Sequence, residues 1–135
     1  MEPRILGVDY GDRRIGLSVS DPLGMTAQPL GTFENNQQFF DQLKSMIALY
    51  HVKHIVIGLP KNQHGGDSEK AKDVRQFGLK IQTEMKQMVT FWDERFSTIA
   101  ATKHLQSAGL NWRKRKKVVD TQAAVFILQG FLDSK

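Results

Sequence analysis

The sequence RILGVDYGDRRIGLSVS, residues 4–20, predicts a β-hairpin at the start of the chain. Residues 4–8 are mostly apolar, and the turn Gly-Asp-Arg-Arg follows shortly after them. Between residues 14 and 20 the side chains alternate, so that Ile15, Leu17 and Val19 share one face of a strand. The first two strands of the fold are therefore predicted to be antiparallel neighbours.

The remainder of the chain predicts helices that alternate with strands. Pro29 restricts the third strand to an edge or a short piece of sheet, and Asn36 is a candidate cap for the first helix. This order predicts an α/β fold, with a mixed five-stranded sheet and helices on both of its faces. The further strands are predicted at 25–33, 55–57 and 89–92, and the helices at 37–50, 69–86, 98–107 and 113–132.

Length and composition restrict the class of protein. A chain of 135 residues predicts one domain, residues 1–135, and 40% hydrophobic with 24% charged residues is ordinary for a soluble globular protein. No apolar run reaches the roughly 18 residues that a membrane span needs, so no membrane partner is expected. The absence of cysteine excludes disulfides, thiolate zinc sites and cysteine nucleophiles, and it fits a cytoplasmic location.

The net charge of +5 is concentrated in one segment of the chain. Outside that segment the basic residues balance the 14 acidic ones. A local block of like charge favours a phosphate-bearing partner, although the start of a solvated helix is the alternative interpretation. The segment consists of Arg113, Lys114, Arg115, Lys116 and Lys117.

Two acidic residues occur at the ends of predicted strands. Asp9 ends the first strand, and Glu94, between Asp93 and Arg95, ends the fifth. Open sheets place their chemistry at strand ends of this kind. The alternatives are that Asp9 only starts the turn, and that the acids beside Arg95 form a surface ion pair.

Asp120 is the most informative acidic residue, because it lies within the apolar arc of the last predicted helix. A carboxylate on a buried helical face is costly unless a cation compensates it. Either a metal ion or an ion pair with Arg14 or Arg95 could do so. The small residues Ala123, Ala124 and Gly130 would let the helix approach the sheet closely. The predicted arc contains Val119, Ala123, Phe126, Ile127, Gly130 and Phe131, with Ala124 at its edge.

Convergence of Asp9, Glu94 and Asp120 would create a cluster of repelling carboxylates. Bound Mg²⁺ or Mn²⁺ would remove the repulsion, and two such ions about 4 Å apart are a recurrent arrangement for phosphodiester hydrolysis. The basic segment begins the helix that carries Asp120, so it would surround the same cleft. Arg14 and Arg95 could hold phosphate, or they could form structural ion pairs.

Four sequence blocks, in the same order, give the chain a resemblance to a known family. They are DYGDRRIG at 9–16, GLPKN at 58–62, WDERFST at 92–98, and RKKVVD at 115–120 followed by Ala123-Ala124 and ILQG at 127–130. The chain resembles the YqgF family, also called Holliday-junction resolvase-like or pre-16S ribosomal RNA nuclease. The loop HGGD at 64–67 departs from the family pattern.

The resemblance implies an RNase H-like nuclease domain related to the RuvC-type resolvases. It implies an endonuclease or exonuclease that processes the 5′ end of pre-16S ribosomal RNA, with ribosomal precursor particles as a further expected partner. It also implies Asp9, Glu94 and Asp120 as catalytic metal ligands. Resolvases use four carboxylates; Asp93 is a candidate for the fourth, but it should point to the face opposite Glu94.

Several alternatives stay open. They are a Holliday-junction resolvase acting on branched DNA, a non-catalytic nucleic-acid-binding ribosome-biogenesis or transcription factor, and a relative of the actin-like ATPases and sugar kinases. Those kinases need two such domains to enclose a nucleotide, which the length of this chain does not supply. The sequence leaves a monomer and a homodimer equally open.

Overall fold

The computed structural model describes residues 3–60, 66, 68–93 and 112–134, and of residues 112–121 it gives the place in a helix without the side chains. The predicted helix at 98–107 lies outside the described residues. None of the described helices is long and apolar enough to cross a membrane. In chain order the elements are β1 (Arg4–Tyr10), β2 (Arg14–Ser20), β3 (Ala27–Glu34), α1 (Phe39–Tyr50), β4 (Val52–Leu59), α2 (Glu69–Met85), β5 (Met88–Asp93) and α3 (Trp112–Asp133).

The strands form one mixed sheet in the order β3-β2-β1-β4-β5. The hairpin strands β1 and β2 are antiparallel, β3 continues antiparallel to β2, and β1, β4 and β5 are parallel. β3 lies at the edge, where the missing N–H of Pro29 is tolerated. The predicted mixed five-stranded sheet is therefore confirmed. Because β1, β4 and β5 are parallel, their carboxyl ends lie at the same end of the sheet.

Helices cover both faces of the sheet, as predicted. On one face α1 and α2 pack over an apolar layer that includes Leu6, Val8, Ile15 and Leu17. On the other face α3 packs against Val56 and its neighbours. The period-two alternation of the hairpin decides which residues face which helices, because successive strand side chains point to opposite faces.

Small residues allow α3 to lie unusually close to β1 and β2. A Cβ atom added to Gly7 would lie 2.7 Å from the Cβ of Leu128 and 2.9 Å from the carbonyl oxygen of Ala124. The Ser18 hydroxyl donates a hydrogen bond of 2.7 Å to that same carbonyl. Ala124 is completely buried. The close approach predicted from the small residues of this helix is confirmed.

Two details differ from the sequence-based expectations. The helix α1 begins at Phe39 after the N-cap Gln38, whereas Asn36 closes the preceding turn by accepting a hydrogen bond from the Gln38 amide at 3.0 Å. The buried stripe of α3 also runs through Leu128, whereas Phe126 is only half-buried. The predicted arc therefore had the right residues near Ala123 and Ala124 but was rotated away from Leu128.

Candidate active site at the end of β1

Asp9 lies near the carboxyl end of β1, on the face covered by α3. Leu6 and Val8 belong to the layer under α1 and α2, and Gly7 lies against α3. By alternation Asp9 shares the face of Gly7. The residue is half-buried, and it interacts with another part of the protein. The sequence-based expectation of an acidic residue at the end of this strand is confirmed.

Glycines flank Asp9 on both neighbouring strands. Its partner on β2 is Gly16, and on β4 Gly58 follows Ile57, which is the partner of Val8. Both glycines are buried. Because neither carries a side chain, no side chain from these two positions fills the space beside Asp9 on this face of the sheet. This glycine row is the feature of the fold that makes the position suitable for chemistry.

A cavity of about 380 Å³ opens at the β1–β2 turn and includes Asp9. Three of its side chains are cationic and two are acidic, so its excess of positive charge suits an anion such as a phosphate group. The turn itself requires glycine at position 11, where an added Cβ would lie 2.5 Å from the carbonyl oxygen of Arg14. The lining residues are Asp9, Tyr10, Gly11, Asp12, Arg13, Arg14, Gly16 and Lys70.

Arg13 and Lys70 were not predicted as members of the site. Lys70 lies in the first turn of α2, and Ser68, the N-cap of that helix, anchors it to the end of β4. The Ser68 hydroxyl and amide donate hydrogen bonds of 3.1 and 3.3 Å to the carbonyl oxygen of Pro60. Since β4 lies beside β1, this anchor brings Lys70 to the Asp9 cavity. The sequence feature that could have indicated Lys70 is its position at the start of the helix that follows a central strand.

The cavity brings together Asp9 and Arg14, two of the predicted site residues. Asp93, opposite Leu59, lies on the face of α1 and α2 and is thereby separated from Asp9. Glu94 and Arg95 lie outside the described residues. Asp120 and the basic segment Arg113, Lys114, Arg115, Lys116 and Lys117 occupy the first half of α3, where the side chains are not described.

Among the described side chains, no three histidine or acidic residues lie close enough together to hold a metal ion. The predicted cluster depends on Glu94 and Asp120, whose side chains are not part of that set. Of the three proposed ligands, Asp9 is the one whose side chain belongs to the described residues. Its carboxylate oxygens are ligands that hard divalent cations prefer, and the glycine row beside it leaves space for an ion.

The hydrogen bonds of α3 establish its direction across the sheet. The side-chain amide of Gln129 accepts a hydrogen bond of 2.9 Å from the backbone N–H of Ala27 and donates one of 3.0 Å to the carbonyl oxygen of Met25. Both contacts lie at the end of the sheet where β1 begins. Ala124 is bonded to Ser18, which pairs with Gly7 further along β1. The helix therefore runs antiparallel to β1, and its earlier turns approach the end that carries Asp9.

The chain is similar to known proteins over nearly its whole length. The RuvX family model, described as Holliday junction resolvase, matches residues 3–134. A protein of Clostridium novyi named "Putative pre-16S rRNA nuclease" is 45% identical over 133 residues, covering 97% of this chain and 98% of its own. A protein of the same name from Bacillus thuringiensis is 45% identical over 136 residues, covering 98% and 99%.

A solved structure shares the fold at much lower sequence identity. Thermus thermophilus RuvC, solved in complex with a Holliday junction substrate, superposes with a TM-score of 0.61 at 13% identity. The match covers 98% of this chain and 95% of the RuvC chain. The RNase H-like fold expected from the sequence is thereby confirmed.

Proposed function

The chain belongs to the RuvX family, also called YqgF, and on that basis we propose that it is a metal-dependent nuclease that hydrolyses phosphodiester bonds. The observation that carries the proposal is the half-buried Asp9 carboxylate beside a row of glycines, in a cavity rimmed by cations. The names of relatives at 45% identity support pre-16S ribosomal RNA as the substrate, and the resemblance of the sequence implies that its 5′ end is processed. The family description favours branched DNA as the second candidate.

The register of α3 supports Asp120 as the second acidic residue of the site. Asp120 lies one helical turn before Ala124, a displacement of about 6 Å along the helix. Asp9 lies two residues beyond Gly7, a displacement of about 6.8 Å along an antiparallel strand. Because Ala124 already lies over Gly7, equal steps in the same direction bring position 120 over the row of Asp9.

The alternation of β5 supports Glu94 as the third acidic residue. Trp92 packs on the α3 face, against Phe131 with ring centroids 6.0 Å apart, and Asp93 takes the opposite face. If the alternation extends by one residue, Glu94 shares the face of Trp92 and therefore of Asp9. Asp9, Glu94 and Asp120 would then hold Mg²⁺ or Mn²⁺. When bound, such an ion lowers the pKa of an attacking water and stabilises charge on the leaving oxygen.

The cationic residues of the cavity act on the phosphates. Arg13, Arg14 and Lys70 would bind the phosphates on either side of the scissile bond and hold the strand in line with Asp9. The planar guanidinium groups can bind two phosphate oxygens at once, whereas Lys70 contributes a point charge. The basic segment from Arg113 to Lys117, at the start of α3, would extend this contact along the nucleic-acid backbone.

Lys70 provides a direct test of phosphate binding, because Lys72 on the same helix is a matched control. Both lysines are exposed, but only Lys70 lines the Asp9 cavity. Lys70→Gln is expected to weaken nucleic-acid binding and to reduce the slope of log K against log salt by about 0.7 to 0.9. Lys72→Gln should leave both quantities as in the wild type. Equal effects of the two variants, measured by fluorescence anisotropy in EDTA, would contradict the assignment of Lys70.

Asp120→Asn tests the proposed carboxylate cluster through stability as well as activity. Removal of one repelling charge is expected to raise the melting temperature in EDTA and to reduce the additional stabilisation by Mn²⁺. The exposed acid Asp41, in the first turn of α1, is a control whose change to Asn should not raise the melting temperature in EDTA and should leave the stabilisation by Mn²⁺ unchanged. An Asp120→Asn protein that is stabilised by Mn²⁺ as much as the wild type would contradict a role for Asp120 as a ligand.

A further inference from the structure

A second cavity, of about 490 Å³, opens at the same end of the sheet but under α1 and α2. None of the residues proposed above to bind phosphate or metal lines it. Its volume lies within the range of roughly 300 to 1,000 Å³ that is typical of small-molecule sites. The lining residues are Tyr10, Asn35, Asn36, Gln37, Phe40, Asp73, Gln76, Phe77 and Lys80.

The floor of this cavity is aromatic. The rings of Tyr10 and Phe77 have centroids 4.5 Å apart, and those of Phe40 and Phe77 are 5.8 Å apart. Phe77 is buried, whereas Tyr10 and Phe40 are only half-buried and present ring surface to the cavity. The Lys80 ammonium lies 4.2 Å from the centroid of the Phe40 ring. The two half-buried rings and the Lys80 ammonium together present a surface on which a planar ligand can stack.

The rim is polar but carries no net charge. Four amide side chains supply donors and acceptors, and the charges of Asp73 and Lys80 cancel. The side chains of Gln37 and Gln76 make no hydrogen bond to any other residue that the structure describes. An aromatic floor with amides at its rim suits an uncharged heterocycle with donors and acceptors at its edge. The Asp9 cavity, with its excess of cations, suits phosphate instead.

The two cavities are adjacent. Tyr10 lines both of them, because it follows Asp9 on β1 and its side chain takes the opposite face. The Asn35 amide, on the rim of the second cavity, donates a hydrogen bond of 2.9 Å to the carbonyl oxygen of Gly11 in the first. The end of β1 therefore separates a site suited to phosphate from a site suited to a planar heterocycle.

We propose that the second cavity receives one unpaired base of the nucleic-acid strand whose backbone is bound at Asp9. The base stacks on Tyr10 and Phe40, and the amides of Gln37 and Gln76 bind its edge. A paired base cannot enter, since its edge is occupied and its faces are stacked. The inference rests on the proposed nucleic-acid substrate, and it specifies a strand that is locally single-stranded, or made so, next to the cut.

The test uses a short single strand that contains 2-aminopurine, a base whose fluorescence is quenched when it stacks. The strand is titrated with the full-length protein in EDTA, as RNA and as DNA, beside a matched strand with an abasic site. With the wild type we expect quenching, and about tenfold weaker binding of the abasic strand. Phe40→Leu should lose most of the quenching and should bind both strands equally.

Gln76 supplies a variant that keeps the fold, because the residue is exposed on α2. Gln76→Ala is expected to bind the 2-aminopurine strand about fivefold more weakly, whereas Gln82→Ala, an exposed glutamine on the same helix outside the cavity, should bind as the wild type does. Salt-sensitive binding by the wild type without quenching or base dependence would overturn the base site but leave the nuclease proposal intact. Absence of binding to any strand would contradict both.

Discussion

Asp9→Asn is expected to reduce cleavage by about a thousandfold, the largest effect of any substitution in this chain. The amide has the size of the carboxylate, so the glycine row and the fold around it should persist. It lacks the negative charge that binds a divalent cation, and roughly 4 kcal/mol of transition-state stabilisation is lost with the ion. Single-turnover cleavage at saturating Mn²⁺, with the melting temperature as a check on folding, measures the effect.

Asp12 is the matched comparison for Asp9. It lines the same cavity but is exposed in the turn between β1 and β2. Asp12→Asn is therefore expected to lower the cleavage rate by less than about tenfold, as for a change in the surrounding charge alone. A folded Asp9→Asn protein that cleaves as fast as Asp12→Asn would contradict the assignment of Asp9 as a metal ligand.

Gly7→Ala is expected to destabilise the protein by about 1 to 3 kcal/mol, because it overpacks the interface between α3 and the sheet. The added methyl group would meet the Ser18 hydroxyl, the Cβ of Leu128 and the carbonyl oxygen of Ala124. The last two cannot move without moving α3. The same displacement would shift Asp120 relative to Asp9, so cleavage should fall as well. The free energy of unfolding in urea measures the first effect.

Gly130→Ala is the control for Gly7→Ala, since Gly130 is a glycine of α3 that faces Trp92 of the sheet. There an added Cβ would lie 3.1 Å from the indole nitrogen of Trp92, which is a side-chain atom and not backbone. Replacing a helical glycine by alanine also gains roughly 1 kcal/mol of helix propensity. We expect a change in stability close to zero. A Gly7→Ala protein as stable as Gly130→Ala would contradict the close packing of α3 on β1.

Where one face of a strand packs on the core, the alternation in the sequence was sufficient to predict the strand. The second strand, Arg14–Ser20, has the bounds that Ile15, Leu17 and Val19 indicated, because a shift by one residue would turn all three from the core under α1 and α2 towards α3, where the strand carries only small residues. The edge position of the strand with Pro29 followed from its missing N–H. Asp9 was found by the same reasoning, as an acid at the end of an apolar strand.

The features that were not predicted include one local turn and two contacts between distant segments. Asn36 is of a residue type that often caps helices, but its side chain accepts a hydrogen bond from the Gln38 backbone amide within the preceding turn. The helix α1 therefore begins later, at Phe39. Lys70 reaches the Asp9 cavity only because Ser68 is bonded to Pro60 at the end of β4. The aromatic cavity joins Tyr10 of β1 to residues of α1 and α2, and no local spacing in the sequence reveals such a contact.

The central claim, a metal-dependent nuclease that processes ribosomal RNA, is tested most directly by cleavage of two substrates side by side. A precursor of 16S ribosomal RNA and a four-way DNA junction are each incubated with Mn²⁺ or with EDTA, using the wild type and Asp9→Asn. We expect the wild type to cut the RNA precursor in Mn²⁺ only, and Asp9→Asn not to cut it. Cutting of the junction alone would show that the substrate is branched DNA and not ribosomal RNA. Binding of both substrates without cutting of either would contradict the nuclease assignment.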